Sequence, residues 1–254
     1  MNRDTNTGIG TDMDTRTGTP EEAAARTGSL FYLLQISDPL LPIGGFTQSY
    51  GLETYVQKGI VHNAGSAQEY LSGYLRNNFL YNDLLAVRLA WEYTGAGDLE
   101  RVAALDKTIG AAKTPREIRT AGIKLGARFA IIVDTVLKDN PFFNSFRKKI
   151  KDEGCDGHYC VLYGLATKLL AIDKTPALSA FTYAAAAQII NNCAKLVPIS
   201  QQDGQRILFN AQGLFQELLS TVETLTEDDL GVSCTGFDLR SMQHERLYTR
   251  LYIS

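Results

Sequence analysis

No run of roughly 18 or more apolar residues occurs in this chain, so no membrane-spanning helix is written in it. The first residues carry neither an apolar core nor a cleavage site behind it, which argues against a secretion signal and makes the cytoplasm the expected location. Basic charge is not concentrated anywhere: 25 Lys and Arg are scattered against 28 Asp and Glu, for a net charge of −3. That distribution supplies no electrostatic footprint for nucleic acid or for an anionic membrane. Cysteine is sparse, and Cys155, Cys160, Cys193 and Cys234 are too few and too spread out to form a disulfide framework for a chain of 254 residues. They are read as reduced. Alternating Val, Ile or Thr runs bounded by Asn-Gly turns are missing as well, which argues against a sheet.

Catalytic signatures are equally scarce. There is no G-x-x-x-x-G-K-[ST] phosphate loop, no G-x-G-x-x-G after a strand, and no G-x-S-x-G nucleophile elbow. The acidic run Glu227, Asp228 and Asp229 follows a helical segment, where consecutive carboxylates more often mark a solvated turn than an acid and base pair.

What is present is helical periodicity over a large apolar content, 44% of residues, enough to bury a core. Residues 1–28 are dominated by Thr, Gly, Asp and Arg and have little to bury, so they are expected to form a disordered arm, with the fold starting near Ser29. Leu71, Tyr74, Leu75 and Phe79 share one helical face, and Tyr81, Leu84, Leu85 and Leu89 repeat that spacing one segment later. The spacing predicts a helix over 115–137 with Ile118, Ala121, Gly122, Leu125, Phe129, Ile132, Val133 and Val136 on one face. Thr114 as cap, Pro115 at the first helical position and Glu117 three residues after the cap read as a capping box. Further helices are expected at 158–172, 176–195 and 200–224, giving an all-α class, a single domain over 29–254 of about ten helices.

Four groups of residues are candidates for function. In the stretch Asp38–Tyr55, Pro42 fixes the backbone, Gly44 and Gly45 permit a tight turn with positive φ, and Ser49 or Thr47 can cap a short helix carrying Glu53. Phe46 is a large ring at a glycine turn, either tucked in or offered to a partner. Cys155, His158 and Cys160 lie within six residues and are possible soft ligands, but no second motif completes a closed metal site, so structural roles are favoured. In the last stretch, His244, Leu247, Tyr248, Leu251 and Tyr252 fit one face of an amphipathic helix running to the final residues. Such a helix either packs on its own domain or anchors an interface through its tyrosines and arginines. The run Phe181, Tyr183, Ala184, Ala185, Ala186, Ala187 is a candidate seam for self-association, or an ordinary core helix.

The segments LLQISDPLLPIGGFTQSYGLETYV, VPISQQDGQRIL and SMQHERLYTRLYIS, in that order, resemble the urease accessory protein F (UreF) family, and the resemblance covers about residues 29–254. TPREIRTAGIKLG, with Glu117, Arg119, Leu125 and Gly126, and GHYCVLYG are smaller echoes of it. The resemblance implies an all-helical, non-enzymatic factor without a cofactor. Such a factor forms a homodimer, binds UreD (also called UreH) and recruits the GTPase UreG, so that GTP hydrolysis is coupled to nickel delivery into apo-urease. It implies that Pro42, Gly44, Gly45, Phe46, Ser49, Gly51 and Glu53 form a recognition turn toward UreD, with Phe46 as anchor. His244, Glu245, Tyr248, Arg250, Leu251 and Tyr252 are a second part of that interface. Gln201, Gln202, Asp203 and Arg206 are expected to face UreG or line a route for the metal. A metallochaperone using Cys155, His158 and Cys160, and a helical enzyme of unknown type, stand as the alternatives.

Overall fold

The computed structural model describes residues 20–45, 48–232, 234–248 and 250–252, with side chains described from residue 28 onward. The described residues contain helices and turns and no strand, in keeping with the periodicity. The first helix, α1 (Pro20–Ile36), already starts within the stretch assigned to the arm; residues 1–19 of that arm lie outside the described residues.

α2 (Leu52–Gln57) and α3 (Ala64–Tyr74) lead into a π-helical segment, Leu75–Leu84, which continues without a break into α4 (Leu85–Gly95). The two helices expected at 71–89 are therefore one rod. A π turn takes up more residues than an α turn, which is how both apolar faces can point into the same core although their phases differ. Leu71, Tyr74, Leu75, Phe79, Leu84, Leu85 and Leu89 are all buried. Side-chain amides attend the irregular stretch: Asn77 Nδ2 donates to the Gly73 carbonyl at 2.8 Å and Asn82 Nδ2 to that of Asn78 at 3.0 Å.

α5 (Leu99–Ala112) is capped by Asp98, which accepts from the Arg101 amide at 3.0 Å. α6 (Arg116–Leu137) follows, and its start corrects the expected capping box. Pro115 itself is the cap residue, extended at φ −66° and ψ 125°, with no side-chain cap bond, and Glu117 is engaged elsewhere. Val136, expected on the core face, is exposed, and Leu137 is buried in its place. α7 (Pro141–Asp152) is capped by Asn140, whose side chain accepts from the Phe142 and Phe143 amides.

α8 (Tyr159–Leu169) is buried almost all round, from Cys160 through Thr167, as a central helix must be. Two glycines let its neighbours reach it. A Cβ on Gly164 would lie 2.3 Å from the Val87 carbonyl oxygen of α4, and one on Gly126 of α6 would lie 1.9 Å from the Gly157 oxygen just before α8. α9 (Lys174–Leu196) crosses this core and contributes Phe181, whose ring meets those of Tyr163 at 4.8 Å and Phe79 at 5.6 Å.

The expected helix at 200–224 is divided into α10 (Gln201–Asn210) and α11 (Gln212–Val222) at Ala211, whose ψ of −2° breaks the α geometry. Ile207, Ala211, Leu214, Phe215, Leu218 and Val222 remain buried on a common face across the break. A 3₁₀ turn, Glu227–Asp229, precedes α12 (Thr235–His244). α12 stops at His244, so the helix expected to run on through Tyr252 is not formed. Among the described residues, no helix is long and apolar enough to cross a membrane.

Candidate partner-binding site

The glycine stretch and the segment after α12 lie far apart in sequence and meet in space. Gly44 adopts φ 89° and Gly51 φ 82°, the left-handed region where glycine is favoured. Gly45 instead serves close approach: a Cβ there would lie 2.9 Å from Gln188 Oε1 of α9. The loop is tied to that helix by Asn192 Nδ2, which donates to the Gln48 carbonyl at 2.7 Å. Ser49 does not cap α2; its hydroxyl is buried without a hydrogen-bond partner, and Gly51 occupies the cap position with no side-chain bond. Pro42 is exposed between buried Leu41 and Ile43. Phe46 and Thr47 lie outside the described residues.

α12 packs directly on this turn. Added to Gly51, a Cβ would fall 2.6 Å from Ser241 Oγ, and Thr54 Oγ1 donates to the Arg240 carbonyl at 3.0 Å. Phe237 of α12 inserts among Tyr55, Tyr70 and Tyr74, with ring centroids 5.5 to 5.6 Å apart.

At the centre stands a charged cluster. His244 is fully buried, with Nε2 3.0 Å from Glu53 Oε2 and Nδ1 2.7 Å from Glu117 Oε2. Glu53, only 3% exposed, also accepts the Leu251 amide at 2.8 Å through Oε1 and the Tyr252 amide at 3.3 Å through Oε2. Glu117 Oε1 accepts from Arg250 Nη1 at 2.8 Å, and Arg116 pairs with Glu245 at 3.3 Å on the rim. These bonds are incompatible with a helix running through Tyr252: the Leu251 and Tyr252 amides that such a helix would bond internally go to the Glu53 carboxylate. Burial pushes the Tyr252 hydroxyl up to about 12, with Glu53 adding to the effect.

The sequence candidates divide into a base and a surface. Gly51, Glu53, His244 and Tyr252 are buried and hold the segment down. Tyr248 and Leu251 are turned outward, 102% and 77% exposed, beside exposed Arg250, with Leu239 and Met242 of α12 also reaching solvent. Glu117 and Arg116 are site residues that periodicity did not reveal; as a nominal capping-box residue, Glu117 gave no hint of a partner 127 residues away.

The other candidates fall elsewhere. On α9, Phe181 and Ala187 are buried, whereas Tyr183 is 45% exposed and Ala184 half-buried, so the four do not share one face. Phe181 and Ala184 line a cavity of about 80 Å³ with Tyr50, Asp83, Tyr159 and Gln188. Tyr50 holds positive φ of 51°, and burial, aided by Asp83, pushes its hydroxyl up to about 12. At the start of α10, Ser200 and Asp203 form a reciprocal capping box. Hydrogen bonds from Ser200, and then Arg206, hold the Asp203 carboxyl below its ordinary range. Gln201, Gln202 and Arg206 are exposed.

Cys155, His158 and Cys160 do not converge on a ligand set. Cys155 Sγ donates to the Ala103 carbonyl at 3.8 Å, Cys160 is buried in the core, and burial raises both thiols, Cys160 strongly. A thiolate ligand is disfavoured there. His158 sits between Gly110 and Gly122, where an added Cβ would come within 3.3 and 2.9 Å of its ring nitrogens. Burial pushes its imidazole below the ordinary range, against the pull of Asp106. Among the described residues no group of three or more His, Cys, Asp or Glu is arranged to hold a metal ion.

The UreF family model matches residues 61–212. The chain is 40% identical over 230 residues to the urease accessory protein UreF of Actinobacillus pleuropneumoniae, covering 89% of this chain and all of that protein. It is 36% identical over 222 residues to the UreF of Haemophilus influenzae strain PittGG, covering 87% of this chain and 94% of that protein. With the UreF of Bacillus sp. strain TB-90 it shares 31% identity over 226 residues, 89% of this chain and 99% of the other. A family match over most of the helical core, joined to relatives aligned along almost their whole length, places this chain in the UreF family.

Proposed function

We propose that the chain is a non-enzymatic urease maturation factor that acts through its surfaces. It binds UreD (UreH) as a homodimer, recruits and regulates the GTPase UreG, and so couples GTP hydrolysis to delivery of nickel, the cargo, into apo-urease. The observation that carries the reading is the division of the site into a buried charged base and an outward rim. Glu53, His244 and Glu117 fix the segment after α12, and that segment offers Tyr248, Arg250 and Leu251 to solvent. Large apolar and arginine side chains on a rigid support are what an interface hot spot requires. Family membership and the names of the relatives support the urease assignment.

In this reading Phe46 and the exposed rim contact UreD, Tyr183 and Ala184 contribute to the dimer seam, and Gln201, Gln202 and exposed Arg206 face UreG. UreD immobilised on a resin is expected to retain the wild-type chain and to lose Phe46→Ala or a chain lacking residues 245–254, with far-ultraviolet circular dichroism unchanged. Retention of both variants refutes the interface, and collapse of their helicity makes those residues core.

A further inference from the structure

We propose that His244 is a pH-sensitive pin: its two ring protons fasten the segment after α12 to α2 and α6, and loss of one loosens that segment. An ionised carboxylate only accepts hydrogen bonds. His244 places Nε2 against Glu53 of α2 and Nδ1 against Glu117 of α6, at 3.0 and 2.7 Å. Satisfying both carboxylates requires a proton on each ring nitrogen, hence the imidazolium form. A neutral ring leaves a lone pair facing a carboxylate oxygen inside a site where the imidazole has no access to water.

The charged groups around the ring make the device graded. Glu53 and Glu117 bring two negative charges, and Arg250, from the segment itself, brings one positive charge to Glu117. Arg116 and Glu245 pair with each other at the rim and cancel. Tyr252, with its hydroxyl pushed up to about 12, stays neutral throughout. Glu53 is the link to the backbone, because the carboxylate that meets His244 also holds the Leu251 and Tyr252 amides. Losing the proton that bridges to Glu53 or Glu117 leaves the Arg250 bond in place, so the segment is loosened rather than freed. The attachment is therefore strongest with a proton on each ring nitrogen between the two carboxylates, and is weaker once either ring proton is lost. The proposal concerns the isolated chain and does not depend on the adaptor reading.

The test follows backbone order by ¹⁵N heteronuclear NOE on the full chain from about pH 6 to pH 9, the range in which a histidine changes charge. Leu251 and Tyr252 amides are expected to lose NOE with the same midpoint as the His244 ring shifts, while amides of α8 stay constant. Glu117→Gln supplies a side-chain amide that donates to a neutral Nδ1 and an oxygen that still accepts from Arg250, so it is expected to keep the segment ordered across the whole range. His244→Gln, whose two donors sit on a single nitrogen and so cannot span the two carboxylates as the two ring nitrogens do, is expected to give low NOE at every pH. Should His244→Gln not fold, the comparison of wild type with Glu117→Gln is sufficient. A ring that keeps one protonation state over the range, wild-type NOE values that ignore its titration, or a Glu117→Gln variant with wild-type pH dependence each overturns the proposal.

Discussion

At Gly51 two demands coincide: a backbone φ of 82° and room for Ser241, whose hydroxyl would be 2.6 Å from any Cβ. Gly51→Ala is therefore expected to destabilise the chain by about 2 to 3 kcal/mol, read from the urea midpoint, as left-handed strain adds to a steric clash. Ser241→Gly in the same background should recover only the steric part, and a neutral Gly51→Ala would show that the turn relaxes. Single residues were legible in sequence as types more than as partners. The glycines announced a turn, Glu53 was placed on the short helix after it, and His244 was placed on one face of the last helix. Their bond joins positions 191 residues apart, which no local spacing encodes. Ser49 misled for a related reason, since a hydroxyl near a helix start reads as a cap whether or not it turns toward the amides.

Among the elements, α8 is the member whose sequence is most constrained by its neighbours. Gly164 lies against the α4 backbone, with a Cβ position 2.3 Å from the Val87 oxygen and 2.9 Å from the Ala90 methyl. Because backbone cannot rotate aside as a side chain can, Gly164→Ala is expected to cost about 3 kcal/mol or more and to lower the calorimetric melting temperature markedly. A melting temperature within a degree or so of wild type, on the scale of about 2–4 °C per kcal/mol for chains of this size, would mean that the two helices separate freely. Periodicity located the long helices well because their buried faces follow the 3.6-residue repeat. It failed where something outside the helix intervened. The Ala211 break keeps every apolar residue on the core face and so leaves no trace in the pattern. Residues 244–252 satisfy helical spacing, yet the helix stops at His244, and further on a buried carboxylate from α2 takes the Leu251 and Tyr252 amides. The π-helical stretch was visible only as two apolar phases that a single α-helix cannot hold.

At the scale of the whole molecule, buried thiols lie in the interior while one end turns large side chains toward solvent. The thiols of Cys155, Cys160 and Cys193 are buried and raised, that of Cys193 to about 12, and no described cluster is set to hold a metal. The exposed side chains at one end, Tyr248, Arg250 and Leu251, are instead held by a network of buried charge. Breaking one partner of such a network typically costs about 3 to 5 kcal/mol, so its presence rigidifies the surface it supports. In the adaptor reading proposed above, a surface of that kind is what meets the partner proteins. The most direct measurement is activation of purified apo-urease by UreD, UreG, GTP and nickel, with and without this chain, followed as urea hydrolysis. Activation that depends on the chain, and that it cannot deliver when UreD is left out, is the expected result; equal activation in its absence would contradict an adaptor role.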